Sequence, residues 1–514
     1  MSRFLTALMF QLSILVVVAQ PPIEWQRNLG GSLDDSGASI EQTSDGGYIL
    51  CGTTNSNNVD VTGNHGNSDI WVVKLNGNGD IQWQRCLGGS QPDFGRSARQ
   101  LGDGSYLVLG STRSNDGDVS GNHGGVDFWL VRLDSDGDPI WQRCYGGSLN
   151  DAPFALEATP DGGYVLAGES RSTDGDVTAN AGFTDYWVLK LDAAFDIQWQ
   201  HSYGGSGGET AYTITLASDG GYFLNGFTDS QDGDVIGSIG TGDFWVLKID
   251  INGEIEWQRP CGGSNIDYGF DVKEMSDGSI IALGESGSND GDVIGAHGGD
   301  DYLVVKLTSS GAFISSLVYG GSNTDRGRAI FAMSNTGFLL IGASSSSDND
   351  VEQNSGSFDG WVVRTDPNGA ILWQLSLGGS QSDGFGGCAM PTSNGFLLWG
   401  GANSSDVNPP NNFGGSDIWL VKLGADPVGV IENLSGLSFS LFPNPNEGQL
   451  HITSPCTEGT QAHWTISNVN GQRVDSGTII RSEMDLSVEQ LAPGSYVLTV
   501  DCGAERSSVP FIKK

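Results

Sequence analysis

The sequence predicts an all-β chain: a seven-bladed β-propeller over residues 20–424, a linker over 425–438 and a small β-sandwich over 439–514. Three observations predict it. Gly-Gly-Ser recurs from Gly30, Gly88, Gly146, Gly204, Gly262, Gly320 and Gly378 at a constant 58-residue spacing, and self-similarity at such a period marks a solenoid, a propeller or an array. Each period holds four short strand-like runs and no sustained 3.6-residue apolar repeat. One extra strand-like run precedes the first period and one is missing from the last, so the N-terminal run can complete the seventh blade and remove an exposed edge.

Residues 1–19 read as a secretory signal peptide: Arg3 supplies a positive start, Leu5 to Val18 are apolar, and Val17-Val18-Ala19 offer compact residues for cleavage. The run is short for about 30 Å of hydrocarbon, and no later segment is apolar enough to span a bilayer. The closing strand then runs from Ile23 to Leu29. In the second unit the strands are Arg96 to Leu101, Tyr106 to Thr112, Asp127 to Leu133 and Pro139 to Tyr145. Asp103-Gly104 and Asp136-Gly137 mark the turns, where glycine accepts positive φ. Two aromatic series share the period: Trp25, Trp83, Trp141, Trp199, Trp257 and Trp373, broken by Ser315, and Trp71, Trp129, Trp187, Trp245, Trp361 and Trp419, broken by Leu303. Large aromatics at fixed strand positions fill the wedge between blades; an exposed carbohydrate platform is the alternative.

The chain carries 24 Lys and Arg against 62 Asp and Glu, a net charge of −38. Nucleic acid and anionic membranes are held by clustered basic residues, so both are excluded as partners. With 37% hydrophobic and 17% charged residues, the chain is also too apolar for an acidic disordered protein. Strand order places two loops of each blade on one face. The inter-blade loop carries Asp35, Asp93, Asp151, Glu209, Asp267, Asp325 and Asp383. The longer loop between the second and third strands runs from Asp116 to Asp127; its first pair recurs as Asp174 and Asp176, and its last member as Asp69, Asp185, Asp243, Asp301, Asp359 and Asp417. One rim is therefore expected to be strongly negative and to face a ligand with those inter-blade acids, together with Arg96, Arg326 and Arg328.

Calcium is the only cofactor these loops suggest, with Asp116, Asp118, Asp127, Asp174, Asp176 and Asp185 as its oxygen donors. The competing and favoured reading is that these aspartates bond turn amides. His65, His123 and His297 occupy equivalent loop sites spread around a ring, whereas zinc needs converging ligands. The polar residues that break the repeat are Arg96, Glu209, Arg326 and Arg328, with Trp399 in place of a smaller residue. They form no recognisable catalytic set, and no nucleophile elbow, phosphate loop or metal-ligand cluster is present in the sequence. Cys86 and Cys144 fall on outer strands of adjacent blades, too far apart for the ~5.5 Å Cα separation of a disulfide. Cys51, Cys261 and Cys388 occupy non-equivalent positions.

In the tail, alternating runs such as Ala462 to Ser467 and Tyr496 to Val500 predict the sandwich. Cys456 and Cys502, its only cysteines, are expected to pair in so small an exported domain. Phe442-Pro443-Asn444-Pro445, the turn at Gly471, Leu491-x-x-Gly494-x-Tyr496 and the terminal Lys513-Lys514 closely resemble the type A C-terminal sorting domain of the type IX secretion system in Bacteroidota. The resemblance implies Sec export, passage across the outer membrane by the type IX machinery, and removal of the tail with release or surface anchoring. The repeats resemble Gly-Gly-Ser and Asp-Gly-Gly-Tyr repeats of other secreted proteins of those bacteria, a group without a settled activity in which some members carry endoglucanase labels. The expected function is a non-catalytic binding or adhesion module that takes a glycan or protein on its acidic face. The alternative is a secreted polysaccharide hydrolase using paired carboxylates at the channel mouth.

Overall fold

The computed structural model describes residues 20–333, 336–392, 395–406, 412–426, 440–442, 448–453, 462–468, 473–479, 483–492, 494–502 and 505–513. The expected signal peptide, most of the expected linker, Pro443 to Pro445, Gly471, Lys514 and the expected Cys456–Cys502 disulfide lie outside the described residues or side chains. The chain divides into two compact units, residues 1–425 and 426–514.

The first unit is a seven-bladed β-propeller. Six blades are consecutive four-stranded antiparallel sheets, and the seventh joins Ile23–Leu29 to Asp417–Leu423, Gly395–Ala402 and Asp383–Thr392. The closing strand runs antiparallel to Asp417–Leu423, with Gln26 opposite Val421 and Leu29 opposite Ile418. First strands of successive blades adjoin one another, and that of blade 7 adjoins that of blade 1, so they form the inner ring. The two middle strands of each blade, such as Tyr48–Thr54 and Asp69–Leu75, are buried on both faces, because each sheet is covered by its neighbours. That double burial explains their near-continuous apolar runs.

The buried tryptophans have a polar partner as well as a packing role. Indole N–H groups of Trp71, Trp129, Trp187, Trp245 and Trp361 donate to Gln84, Gln142, Gln200, Gln258 and Gln374 on the neighbouring outer strand, at 2.7–2.9 Å. In blade 7 the partner of Trp419 is Gln26, at 3.1 Å, so the clamp also ties down the closing strand. Blade 5 has lost both members: Leu303 replaces the tryptophan and Ser316 the glutamine. Trp25, Trp83, Trp199 and Trp257 pack against hairpin glycines of the following blade, and Trp141 stacks on Phe195 at the equivalent place. A Cβ on Gly137, at φ +84°, would lie 2.8 Å from the Trp83 ring.

The first strands start earlier than the sequence suggests. In blade 2 the strand is Asp93–Gln100, so its inter-blade acid is the first strand residue. Gly95 reads as a loop residue, yet it is close-packed: a Cβ there would meet the Gly52 carbonyl at 2.2 Å. A bulge follows, leaving Arg96 without a cross-strand partner between Gly95 and Ser97.

The second unit contains a three-stranded sheet (Ser440–Phe442, Gln449–Thr453, Glu483–Ser487) and a four-stranded one (Arg473–Ile479, Ala462–Asn468, Gly494–Cys502, Glu505–Lys513). Leu450, Trp464, Ile466, Leu486, Val488, Leu491, Leu498 and Val500 form its core, as expected of a small sandwich. Within the sorting motif, Leu491 is in this core, Tyr496 packs against it, its hydroxyl donating to the Ala492 carbonyl, and Gly494 and Lys513 are opposite each other at one end of a strand pair. Phe442 is opposite His451.

Candidate functional site

The inter-blade acids do not face solvent. Asp35, Asp93, Asp151, Glu209, Asp267, Asp325 and Asp383 are each no more than 2% exposed. One carboxylate oxygen accepts the second Gly-Gly-Ser amide, from Gly31, Gly89, Gly147, Gly205, Gly263, Gly321 or Gly379, at 2.6–2.9 Å. The other accepts the hydroxyl of Thr54, Thr112, Ser170, Thr228, Ser286 or Ser344 at the end of the second strand. In blade 7 that residue is Ala402, and the Asn403 and Ser404 amides donate instead. These acids were expected at a ligand-facing rim; buried and saturated, they staple the loops beneath it.

The residues named for calcium are divided in the same way. Asp116 and Asp174 accept the Ser90 and Ser148 amides, and Asp118 and Asp176 the Gly88 and Gly146 amides. Asp127 and Asp185 are buried and accept the loop amides of His123 and Ala181. His65 and His123 lie with Nδ1 on Asp69 and Asp127 at 2.7 and 2.6 Å. Among the described residues no three His, Cys, Asp or Glu side chains are grouped to hold a metal ion. One feature is common to all seven blades: the second oxygen, Oδ1, of Asp69, Asp127, Asp185, Asp243, Asp301, Asp359 and Asp417 is buried without a donor. Burial pushes Asp127 and Asp301 up to about 6 and Asp417 up to about 7. Cys51, Cys86, Cys144 and Cys261 are buried free thiols, and burial pushes the first three up to about 12, so they are unreactive.

The bulges aim one residue per blade at the ring axis: Ala38, Arg96, Phe154, Tyr212, Phe270, Arg328 and Gly386. Five of them stack in an arc. Arg96 lies over Phe154 at 4.7 Å, Phe154 meets Tyr212 at 5.2 Å, Tyr212 meets Phe270 at 5.1 Å, and Arg328 covers Phe270 at 4.0 Å. Arg96 and Arg328 thus cap the two ends of an aromatic ladder. The arc stops at blades 7 and 1, where Gly386 and Ala38 contribute almost no side chain.

A hollow of about 310 Å³ opens beside this gap. Gly384, Gly386, Gly400 and Gly401 line it, with Trp399, Phe358, Asn403, Arg326 and Arg328 around them. The indole of Trp399 requires the glycines: a Cβ on Gly386 would lie 2.2 Å from the ring. Arg326 is exposed and stacks on Phe358 at 4.9 Å. Among the described residues nothing accepts a hydrogen bond from its guanidinium. Arg328 Nη1 faces Glu285 Oε2 at 3.3 Å, but neither buried atom makes a hydrogen bond. Asp383 borders the hollow as a buried, fully bonded acid. Of the residues singled out in sequence, Arg326, Arg328 and Trp399 come together here; Arg96 is at the far end of the arc and Glu209 is in the blade-4 staple. Sequence reasoning missed Phe154, Tyr212, Phe270, Phe358, Asn403 and the glycine strip, and a comparison of bulge positions down the repeat is the signal that exposes them.

Residues 440–514 match the family model of the secretion system C-terminal sorting domain. The chain is thus type IX secretion cargo, directed to the cell surface or exterior. No helix among the described residues is long and apolar enough to cross a membrane. The chain is 24% identical over 391 residues to "Regulatory protein FlaEY" of Caulobacter vibrioides; the match covers 72% of this chain and 36% of that protein, so about a third of the relative's length is spanned. Among solved structures, the Neurospora crassa Pan2 WD40 domain aligns with 75% of this chain and 88% of its own, at 12% identity and a TM-score of 0.43. Drosophila Plexin A, solved with Semaphorin 1b, aligns with 79% and 88% at 9% identity and a TM-score of 0.43.

Proposed function

We propose that this chain is an exported, non-catalytic binding module whose ligand seats at the inner end of blades 6 and 7. One observation carries the reading. The repeated carboxylates are consumed by loop staples, whereas the hollow where the sevenfold repeat fails is lined by Arg326, Arg328 and Trp399, and the Arg326 guanidinium has no acceptor among the described residues. A concave site with an aromatic wall and a few convergent polar groups is what ligand binding requires.

The hydrolase alternative needs two available carboxyl groups flanking a glycosidic bond. At the hollow, Asp383 has its oxygens occupied, and Glu285, outside the residues that line it, is the counter-charge of Arg328 at 3.3 Å, which favours binding over turnover. The test is to screen the full chain against immobilised glycans and peptides with parallel detection of released products. Retention that falls on Arg328→Ala, without product, is the expected result. Product formation abolished by Glu285→Gln would instead establish an enzyme.

A further inference from the structure

The hollow carries enough chemistry to name a class of ligand, and this step rests on the binding function above. We propose that it takes a single carboxylate-bearing sugar ring, the terminal uronate of an otherwise neutral glycan. The charge argument comes first. In a chain of net charge −38, two guanidinium groups border one small hollow, and each has unspent donors. Arg326 stacks on Phe358, and among the described residues nothing accepts from its N–H groups, so its fork is open to a planar anion. Arg328 Nη1 is buried, and its only facing acid, Glu285 Oε2, is out of hydrogen-bond geometry at 3.3 Å.

The shape argument supplies the ring. Trp399 presents a partly buried indole beside a floor of glycine backbone, and Asn403 adds an amide at the border. An apolar face with polar groups at its edge suits a sugar ring, whose axial C–H face stacks while its hydroxyls bond at the rim. At about 310 Å³ the hollow is at the small end of ligand sites, enough for one ring and its substituents. The net charge of −38 disfavours a long polyanion. One carboxylate is attracted; a run of them is repelled.

The test uses the full chain and three probes by titration calorimetry: methyl glucuronide, methyl glucoside and benzoate. The glucuronide should bind at least tenfold more tightly than either of the others, and Arg326→Gln, at an exposed side chain that leaves the core intact, should weaken it at least tenfold with an unchanged melting temperature. Equal binding of glucoside and glucuronide would overturn the carboxylate assignment while leaving a sugar-binding module. Equal binding of benzoate and glucuronide would overturn the sugar assignment while leaving an anion-binding module. Glucuronide binding indifferent to Arg326→Gln would overturn the placement. Failure of all three probes overturns the ligand class, and the binding function falls with it only if the glycan and peptide screen also retains nothing.

Discussion

Asp417 tests whether the unpartnered carboxylate oxygens at the blade junctions matter energetically. Its carboxyl is buried, its Oδ2 accepts the Phe413 amide at 2.5 Å, and its Oδ1 has no donor. That oxygen and Asp35 Oδ2 crowd the same face of Gly30: a Cβ there would lie 2.3 and 2.7 Å from them. Burial, reinforced by the charges of Asp35 and Asp60, pushes the Asp417 carboxyl from 3.8 up to about 7. A carboxyl raised on folding favours the folded state while protonated. Its stabilising contribution is complete below the unfolded value and is lost as pH rises through about 7. At about 1.4 kcal/mol per pH unit the upper bound is about 4 kcal/mol, and screening by solvent near the loops halves it to about 2 kcal/mol. In Asp417→Asn the amide oxygen keeps the Phe413 bond, and the amide nitrogen replaces Oδ1 and donates to Asp35.

The asparagine variant should therefore exceed wild type by about 2 kcal/mol at pH 8, or about 2 °C in a unit of this size, and lose that advantage by pH 4.5. Carboxyls held low on folding act elsewhere on the scale. Hydrogen bonds from Lys190 and Thr159 hold Asp161 down to about 2, so its contribution disappears only as pH falls below 3.8. Melting curves of both proteins at half-unit steps from pH 4.5 to 8.5 cover the Asp417 window and stay above that of Asp161. A variant that melts below wild type at pH 8, or that differs from it by the same amount at every pH, would refute the electrostatic account.

Two further tests address the ring itself. Gly88→Ala places a Cβ 2.7 Å from Asp93 Oδ2 and 2.8 Å from Asp69 Oδ1 and should cost about 1–3 kcal/mol, whereas Gly102→Ala, with nothing within 4 Å, should leave the denaturation midpoint unchanged; equal midpoints for the two variants would contradict the close packing. Removing residues 20–31 deletes the closing strand and the Gln26 partner of Trp419, so the melting temperature should fall and size exclusion should report association through the freed edge of Asp417–Leu423; a monomer with an unaltered melt would mean the ring does not need its clasp.

Ring closure was legible because it is a counting argument: a surplus strand at Ile23–Leu29 answers a deficit after Leu423. The tryptophan comb was legible for a similar reason, since a residue buried at the same place in every blade recurs at the same interval. Even its partner is written in the sequence: where Leu303 replaces tryptophan, Ser316 replaces glutamine, as a hydrogen-bonded pair would require. The acidic rim was not legible, because an aspartate before a strand looks the same whether it faces water or a buried hydroxyl. The distinguishing signal is at a distance, in the Thr54 and Ser56 that follow Asp35 and both donate to it. The inner arc was hidden by register. A one-residue bulge decides which side chain points at the axis, and Ala38, Arg96, Phe154 and Gly386 share no composition by which to recognise the position.

Loss of side chains, more than gain, makes the candidate site. Six blades carry something larger than glycine at the position of Gly384, and five carry a stacking group at the position of Gly386. Blade 7 carries backbone at both, and Gly400 and Gly401 extend the strip on its second strand. Deleting side chains from one blade of a closed ring cannot be healed by collapse, because the neighbouring blades hold the geometry through their own staples and clamps. The Trp399 indole takes the place vacated at Gly386, and the residues at the border of the space left beside it determine its chemistry. Arg328 ends the stacked arc at that border, so one of its faces is covered by Phe270 while its buried Nη1 remains without a hydrogen bond. An arc that stopped one blade earlier would end on Phe270 and leave an apolar border; because it ends on arginine, the border carries positive charge, and on that charge the proposed anionic ligand depends.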